Sequence, residues 1–225
     1  MARPFQKLTN LSEGQWGLVT RRQVDQLGVA PASFELLVQR GLTERVARGI
    51  YRIRGAGEAD HLALRAAWLQ LDPGKAAWER LDDPDVAVVS HASAASLYQV
   101  GDLRPDIHEF TSARRRQTRR PDVRIHRGVV PEQDRVVLRG LPVTRAARML
   151  ADLLADHVEP AAVARITVEV IEGVLDYPRV VADKIAPFAA GFGLTPGDGV
   201  GLLDRLLELG GGRRDREAIL AEARR

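Results

Sequence analysis

Residues 20–53 read TRRQVDQLGVAPASFELLVQRGLTERVARGIYRI, and the order of caps, stops and turn residues in this stretch decides the N-terminal fold. Thr20 is placed to cap a helix, its hydroxyl accepting from a free backbone N–H of the next turn. Arg21 to Leu27 is that helix. Gly28 ends it where a left-handed residue is wanted, and Pro31 opens the next helix within its first turn, where a missing N–H costs nothing. Only Val29 and Ala30 lie between. Two short helices joined by a glycine-containing turn of about three or four residues form the helix-turn-helix pattern.

In the second of these helices, Ala32 to Arg40, residues Phe34, Leu37 and Val38 recur at helical spacing and form one apolar stripe, which predicts core. The opposite face carries Ala32, Glu35, Leu36 and Gln39, flanked by Ser33 and Arg40, and is the face a recognition helix lays in a major groove. Gln39 suits an adenine edge, Glu35 a cytosine amino group, and Leu36 or Ala32 a thymine methyl. Thr20, Arg21 and Arg22, at the start of the preceding helix, join the expected DNA-contacting set. The competing reading is a solvated polar face with one stray leucine.

Leu42 to Ile53 is rich in β-branched residues and divided by Arg48-Gly49, which predicts a hairpin with a two-residue loop. That loop pairs Ala47 with Ile50, Val46 with Tyr51, and Arg45 with Arg52. Val46, Tyr51 and Ile53 then face inward, while Arg45 and Arg52 lie side by side outward with Arg48 at the tip. Like charges opposite each other repel, so the pair makes sense against phosphates. This is a wing. Upstream, a weak helix from Pro4 to Glu13 leads through Gly14, Trp16 and Gly17 to the short apolar Leu18-Val19.

Outward from this module, a chain of 225 residues accommodates two domains, expected as 1–57 and 58–225 with a linker at Gly55-Ala56-Gly57. A 45% hydrophobic and 28% charged composition argues for packed cores rather than disorder. No apolar run approaches the ~18 residues that cross a bilayer, and the opening lacks a signal-peptide core, so the expected setting is the cytoplasm, without membrane contact. The absence of cysteine removes disulfides, thiolate nucleophiles and thiolate-held zinc. Charge is uneven: residues 1–57 carry nine Arg/Lys against four Asp/Glu and residues 104–127 eight against three, or +5 each, leaving −7 elsewhere to reach the net +3. Two basic islands sit on an acidic remainder.

The second part reads as α+β. Leu64, Ala67, Trp68 and Leu71 line a helix that Pro73 ends. Val86 to Val89 is a short strand followed by Ser90 as N-cap of a helix reaching Tyr98. Strands follow at Ile107–Thr111, Val123–Arg127 and Arg135–Leu138, in a small antiparallel or mixed sheet with hairpin links. From residue 144 the pattern turns helical, with helices near Arg145–Asp156, Pro160–Leu175, Pro178–Ala190 and Gly199–Leu209, and a polar helix or frayed tail from Arg213 to Arg225. The second basic island, Arg114, Arg115, Arg116, Arg119 and Arg120 with Arg124 on the next strand, suits a nucleic-acid backbone or an acidic protein surface, against the alternative of a solvated loop.

Chemistry for an enzyme is thin. His61, His91, His108, His126 and His157 are scattered without an H-x-x-x-H pair, which predicts packing or local hydrogen bonds, no metal and no cofactor. A metal-dependent nuclease needs clustered carboxylates and a nearby lysine, and only Lys184 beside Asp183 comes near. Gly197, Gly199 and Gly201 lack the spacing of a phosphate cradle and read as a helix start.

QWGLVTRRQVDQLGV (15–29) and RGLTERVARGIYRI (40–53) resemble the winged-helix domain of AbiEi-type antitoxins from toxin–antitoxin operons. LRAAWLQLDPG (64–74), VVSHASAASLYQVGDL (88–103), HEFTSARRRQTRRPDVRIHRG (108–128) and LRGLPVTRAARMLADLLAD (138–156) resemble the second domain of that family. VLDYPRVVADKIAPF (174–188) is similar to its mycobacterial, actinobacterial branch. The resemblance implies a non-enzymatic autorepressor that binds inverted repeats in its own promoter. It also implies a cognate nucleotidyltransferase-like toxin as partner, neutralised directly or indirectly, in a type IV-like system. The alternative is a stand-alone regulator with no toxin partner.

Overall fold

The computed structural model describes residues 2–57, 59–104, 106–212 and 215–225. The chain divides into two compact units, 1–87 and 88–225. The first runs α1 (Ala2–Glu13), β1 (Leu18–Thr20), α2 (Arg21–Gln26), α3 (Pro31–Gln39), β2 (Thr43–Ala47), β3 (Ile50–Ile53), α4 (Leu62–Leu71) and α5 (Ala77–Leu81). Its three strands form an antiparallel sheet in the order β1-β3-β2, so the strand before the helix-turn-helix is stitched to the wing. This is a winged helix-turn-helix.

The local signals operate as read. Thr20 and Gln23 close a reciprocal capping box on α2, Gly28 takes φ 69° beyond its end, and Pro31 opens α3. Gly17 is fixed twice, by φ 76° and because a Cβ there would sit 2.3 Å from the Ala56 Cβ. The core gathers Leu8, Val19, Val24, Val29, Phe34, Leu37 and Ile53, with Val38 and Tyr51 packed at its edge. Tyr51 meets Phe34 edge-on, ring centroids 4.8 Å apart, which ties the wing to the inner face of α3.

The expected boundary after residue 57 falls inside this unit, because α4 and α5 pack with the winged helix. α4 is buried nearly all round, through Leu64, Ala66, Ala67, Trp68 and Leu69. Trp68 meets Trp16 edge-on at 6.1 Å, and its Nε1 donates to the Ala87 carbonyl at 2.7 Å. Buried Arg80 from α5 donates to the carbonyls of Trp68 and Leu69 at 2.7 and 2.8 Å and to that of Asp72, and stacks over the Trp68 ring. A guanidinium thus satisfies the exposed carbonyls at the negative end of α4.

The second unit contains β4 (Val88–Val89), α6 (His91–Tyr98), β5 (His108–Ser112), β6 (Val123–Arg127), β7 (Arg135–Leu138), β8 (Leu141–Thr144), α7 (Ala146–Ala155), α8 (Pro160–Glu172), α9 (Pro178–Ile185), α10 (Gly199–Gly210) and α11 (Arg216–Ala223). A 3₁₀ segment at Ala186–Phe192 replaces the expected last turns of α9, and Pro187 lies within it. Of the polar helix or frayed tail expected from Arg213, the helix forms as α11; Arg213 and Arg214 themselves lie outside the described residues.

The sheet is mixed, in the order β6-β5-β4-β8-β7. The hairpin links expected among β5, β6 and β7 do not form; the hairpin present joins β7 to β8. β5 and β6 are parallel, so the arginine-rich segment between them is a return crossover rather than a hairpin loop. β8 is a strand beyond those expected; Leu141-Pro142-Val143-Thr144 carries little signal of its own, being short and running straight into α7. Asp198 caps α10 by accepting from the Gly201 N–H at 2.7 Å, the helix start expected from the glycine spacing. Among the described residues no helix is long and apolar enough to cross a membrane.

Candidate nucleic-acid interface

The inner stripe of α3 leaves a defined outer face. Phe34 and Leu37 are buried, Ala32, Glu35, Gln39 and Arg40 are exposed, and Ser33 and Leu36 are half-buried. On α2, Arg22 is exposed. Arg21 pairs with Asp25 at 2.9 Å, and its guanidinium lies 5.1 Å from the centre of the Phe34 ring, bracing α2 against α3.

Two of the expected contacts need correction. Thr20 is fully buried: its hydroxyl accepts from the Gln23 N–H at 3.0 Å and donates to the Pro73 carbonyl, which removes it from any DNA-facing surface. In the wing, Ala47 pairs with Ile50 as expected, but a bulge at Val46 shifts everything beyond it. Arg45 therefore lies opposite Tyr51, and Arg52 lies opposite Glu44. The extra residue breaks the two-residue alternation on which the arginine pairing rested. Arg52 is half-buried and donates to the carbonyls of Ala56 and Gly57 at 3.2 and 3.0 Å, so it anchors the strand exit. Arg45 and Arg48 remain exposed, and Arg54, which is not in the expected set, is exposed just beyond β3.

Behind this face lies a pair of buried amides. Gln15 Nε2 donates to the Leu18 carbonyl at 2.7 Å and to Gln23 Oε1 at 2.8 Å. Gln23 Nε2 donates to Gln15 Oε1 at 3.2 Å and to the Lys75 carbonyl at 3.0 Å. The Thr20 and Ala77 N–H groups donate to Gln23 Oε1 and Gln15 Oε1. Both amides are saturated, a condition under which a buried polar network specifies one arrangement. The Thr20-x-x-Gln23 capping box was the legible signal for Gln23; nothing local announces Gln15 or Arg80.

In the second unit the basic island is thinner than its sequence. Arg120 grips Asp122 with two nitrogens, one at 2.9 Å from Oδ1, and this hydrogen-bonded pairing pulls the Asp122 carboxyl down to about 2. Arg116 donates to the Ser112 hydroxyl at 3.3 Å. Arg124 faces Glu109 and Asp156 at 3.6 and 3.7 Å and so belongs to an acidic pocket instead. Arg114, Arg115 and Arg119 are left exposed on the crossover.

Residues 6–54, from within α1 to the end of the wing, match the model of a family described as transcriptional regulator, AbiEi antitoxin. Over these residues the winged helix is similar to that family. A comparison with curated proteins finds no match. The AbiEi match ends before α4, although the compact unit that holds the winged helix continues to Ala87. Both glutamines of the buried pair lie inside the matched segment, while their partners Lys75 and Ala77 lie outside it. The description is that of a regulatory family.

Proposed function

We propose that the chain is a cytoplasmic antitoxin that binds inverted repeats in its own promoter, represses its operon, and antagonises a nucleotidyltransferase-like toxin encoded beside it. The observation that carries the DNA-binding part is the outer face of α3. It presents Glu35, Gln39 and Arg40 on a helix whose opposite side is locked into the core by Phe34, Leu37 and Tyr51. A rigid helix with a short polar outer face suits major-groove readout, in which the side-chain amide of Gln39 pairs with an adenine edge. Arg22, Arg45, Arg48 and Arg54 supply phosphate contacts, which fix register without reading sequence. Arg114, Arg115 and Arg119 offer a further cationic segment, for DNA or for an acidic toxin surface. The antitoxin part rests on the family description, and the second unit is the natural carrier of toxin antagonism because it lies outside the matched DNA-binding segment.

The test is binding of the purified chain to its promoter fragment beside a scrambled fragment of equal length. Sequence-specific binding that Gln39→Ala weakens on the promoter more than on the scrambled fragment supports the reading. Equal affinity for both fragments overturns it. Co-expression with the product of the adjacent gene tests the toxin part: rescue of growth supports it, and no rescue leaves a stand-alone regulator.

A further inference from the structure

Four elements of the second unit converge on one cluster of side chains. His91 is the first residue of α6, held at φ 52°, a left-handed conformation that costs a histidine energy. Its ring is buried and lies face to face with His126 of β6, centroids 3.6 Å apart and planes within 12°. Asp156 closes α7, and one ligand atom from each of His91, His126 and Asp156 falls within 4.8 Å of the others. One turn back on the same helix, Asp152 is buried; its Oδ1 accepts from Arg148 at 2.7 Å, and its Oδ2 is a buried atom with no hydrogen-bond partner.

Each imidazole is held by one nitrogen only. His91 Nδ1 is 2.9 Å from the Ser90 hydroxyl, which also accepts from the Thr111 hydroxyl at 2.8 Å. His126 Nε2 is 3.1 Å from Oε1 of Glu109, a buried carboxylate on β5 fixed in turn by the Ala92 N–H at 3.0 Å. Among the described residues the second nitrogen of each ring has no hydrogen-bond partner. A histidine oriented through one nitrogen by a carboxylate or hydroxyl, with the other nitrogen left open, is the arrangement of a metal ligand with its outer-sphere support.

We infer that His91, His126 and Asp156 form a binding site for a divalent transition-metal ion of the zinc type, with the fourth position left to a solvent ligand. Two imidazoles and a carboxylate are a borderline-hard donor set, suited to Zn²⁺ or Co²⁺ and poor for Mg²⁺, which prefers oxygen and retained water. Four-coordinate ligand atoms at ~2.1 Å from a metal stand about 3.4 Å apart, so the three residues close by about an ångström through side-chain rotation. The burden on the site is Arg124, whose guanidinium lies 3.7 Å from Asp156; its side chain is half-exposed and turns outward into solvent as the ion enters. The ion clamps the start of α6, the strand β6 and the end of α7.

The experiment uses the full chain, stripped with a chelator and titrated with Co²⁺. The expected result is saturation at one ion per chain, with the visible d–d bands of a four-coordinate nitrogen and oxygen set, displacement by Zn²⁺ and indifference to Mg²⁺. Asp156 sits exposed at a helix end, so Asp156→Asn retains the fold and loses the bands. Glu109→Gln, which touches only the outer sphere, weakens binding about 10–100-fold. Zn²⁺ raises the melting temperature of the unmodified chain and leaves that of Asp156→Asn where it was. Absence of saturable binding overturns the inference, as does Co²⁺ binding that Asp156→Asn leaves unchanged.

Discussion

Gln15 and Gln23 face each other as a reciprocal amide pair, Gln15 Nε2 donating to Gln23 Oε1 at 2.8 Å and Gln23 Nε2 returning a bond to Gln15 Oε1 at 3.2 Å. Through that pair the turn before β1, the first helix of the helix-turn-helix and the segment between α4 and α5 share one hydrogen-bond network. Truncating one partner strands several buried groups at once, each costing about 1–3 kcal/mol. Gln23→Ala is therefore expected to destabilise the first unit by about 3 kcal/mol, read as a lowered urea midpoint with the denaturant slope unchanged. A midpoint within experimental error of the parent would show that water replaces the missing amide at no cost.

Fragment length provides a second check. Residues 1–87 contain every partner of the glutamine pair, together with the Trp68 and Arg80 cluster. A fragment ending at residue 57 lacks the Lys75 carbonyl, the Ala77 N–H and the Pro73 carbonyl that receives the Thr20 hydroxyl. The longer fragment is expected to unfold cooperatively, and the shorter to show poor amide dispersion by NMR. Equal stability of the two would confine the fold to the winged helix alone.

The wing arginines separate by role. Arg48 and Arg45 are exposed, whereas Arg52 is tied to Ala56 and Gly57. If the exposed pair lies against phosphates, Arg48→Ala lowers the slope of log affinity against log salt by about one, because one fewer phosphate is neutralised and its counterion stays on the DNA. Arg52→Ala instead lowers thermal stability and changes that slope little. A slope that Arg48→Ala does not alter would take the wing tip off the DNA.

Acid is expected to weaken the second unit. Burial pulls His108 below its ordinary value of 6.5, and Arg120 adds to the effect while Asp122 opposes it; His91 is lowered in the same direction. Depressed histidines are neutral in the fold and take up protons more readily when unfolded, so their stabilisation is complete above about pH 6.5 and is lost as pH falls below it. Glu109 adds a later phase: burial opposes its ionisation, but the hydrogen bond from His126 and the nearby positive charge prevail, so its contribution disappears only below 4.5. For metal-free protein the urea midpoint at about pH 5.5 lies below that at about pH 7.5, and His108→Gln reduces the difference. A midpoint flat across that interval would contradict the burial of neutral imidazole.

Much of the fold is legible in the chain because its signals are local. Thr20 capping α2, Gly28 stopping it, Pro31 opening α3 and Arg48-Gly49 turning the wing each act within about one turn of helix or one hairpin loop. The apolar spacing of Phe34, Leu37 and Val38 marks the buried side of α3, and by subtraction its outer face. What stays hidden depends on partners far along the chain or on a single displaced residue. The bulge at Val46 moves Arg45 away from Arg52, and no propensity marks which residue a strand will extrude. β5 and β6 lie parallel, a long-range pairing that the arginine-rich segment between them does not announce. Arg120 and Arg124 look like free charge in sequence and are neutralised by Asp122, Glu109 and Asp156 in space.

Caps, periodicity and turn chemistry are carried by adjacent residues, and they suffice to set the winged helix, its core stripe and the polar face turned away from that core. Which basic residues remain exposed, how α4 and α5 complete the first unit, and that His91, His126 and Asp156 meet are outcomes of the folded arrangement alone. Long-range pairing arises from packing the whole chain, and it leaves little trace in the order of neighbouring residues.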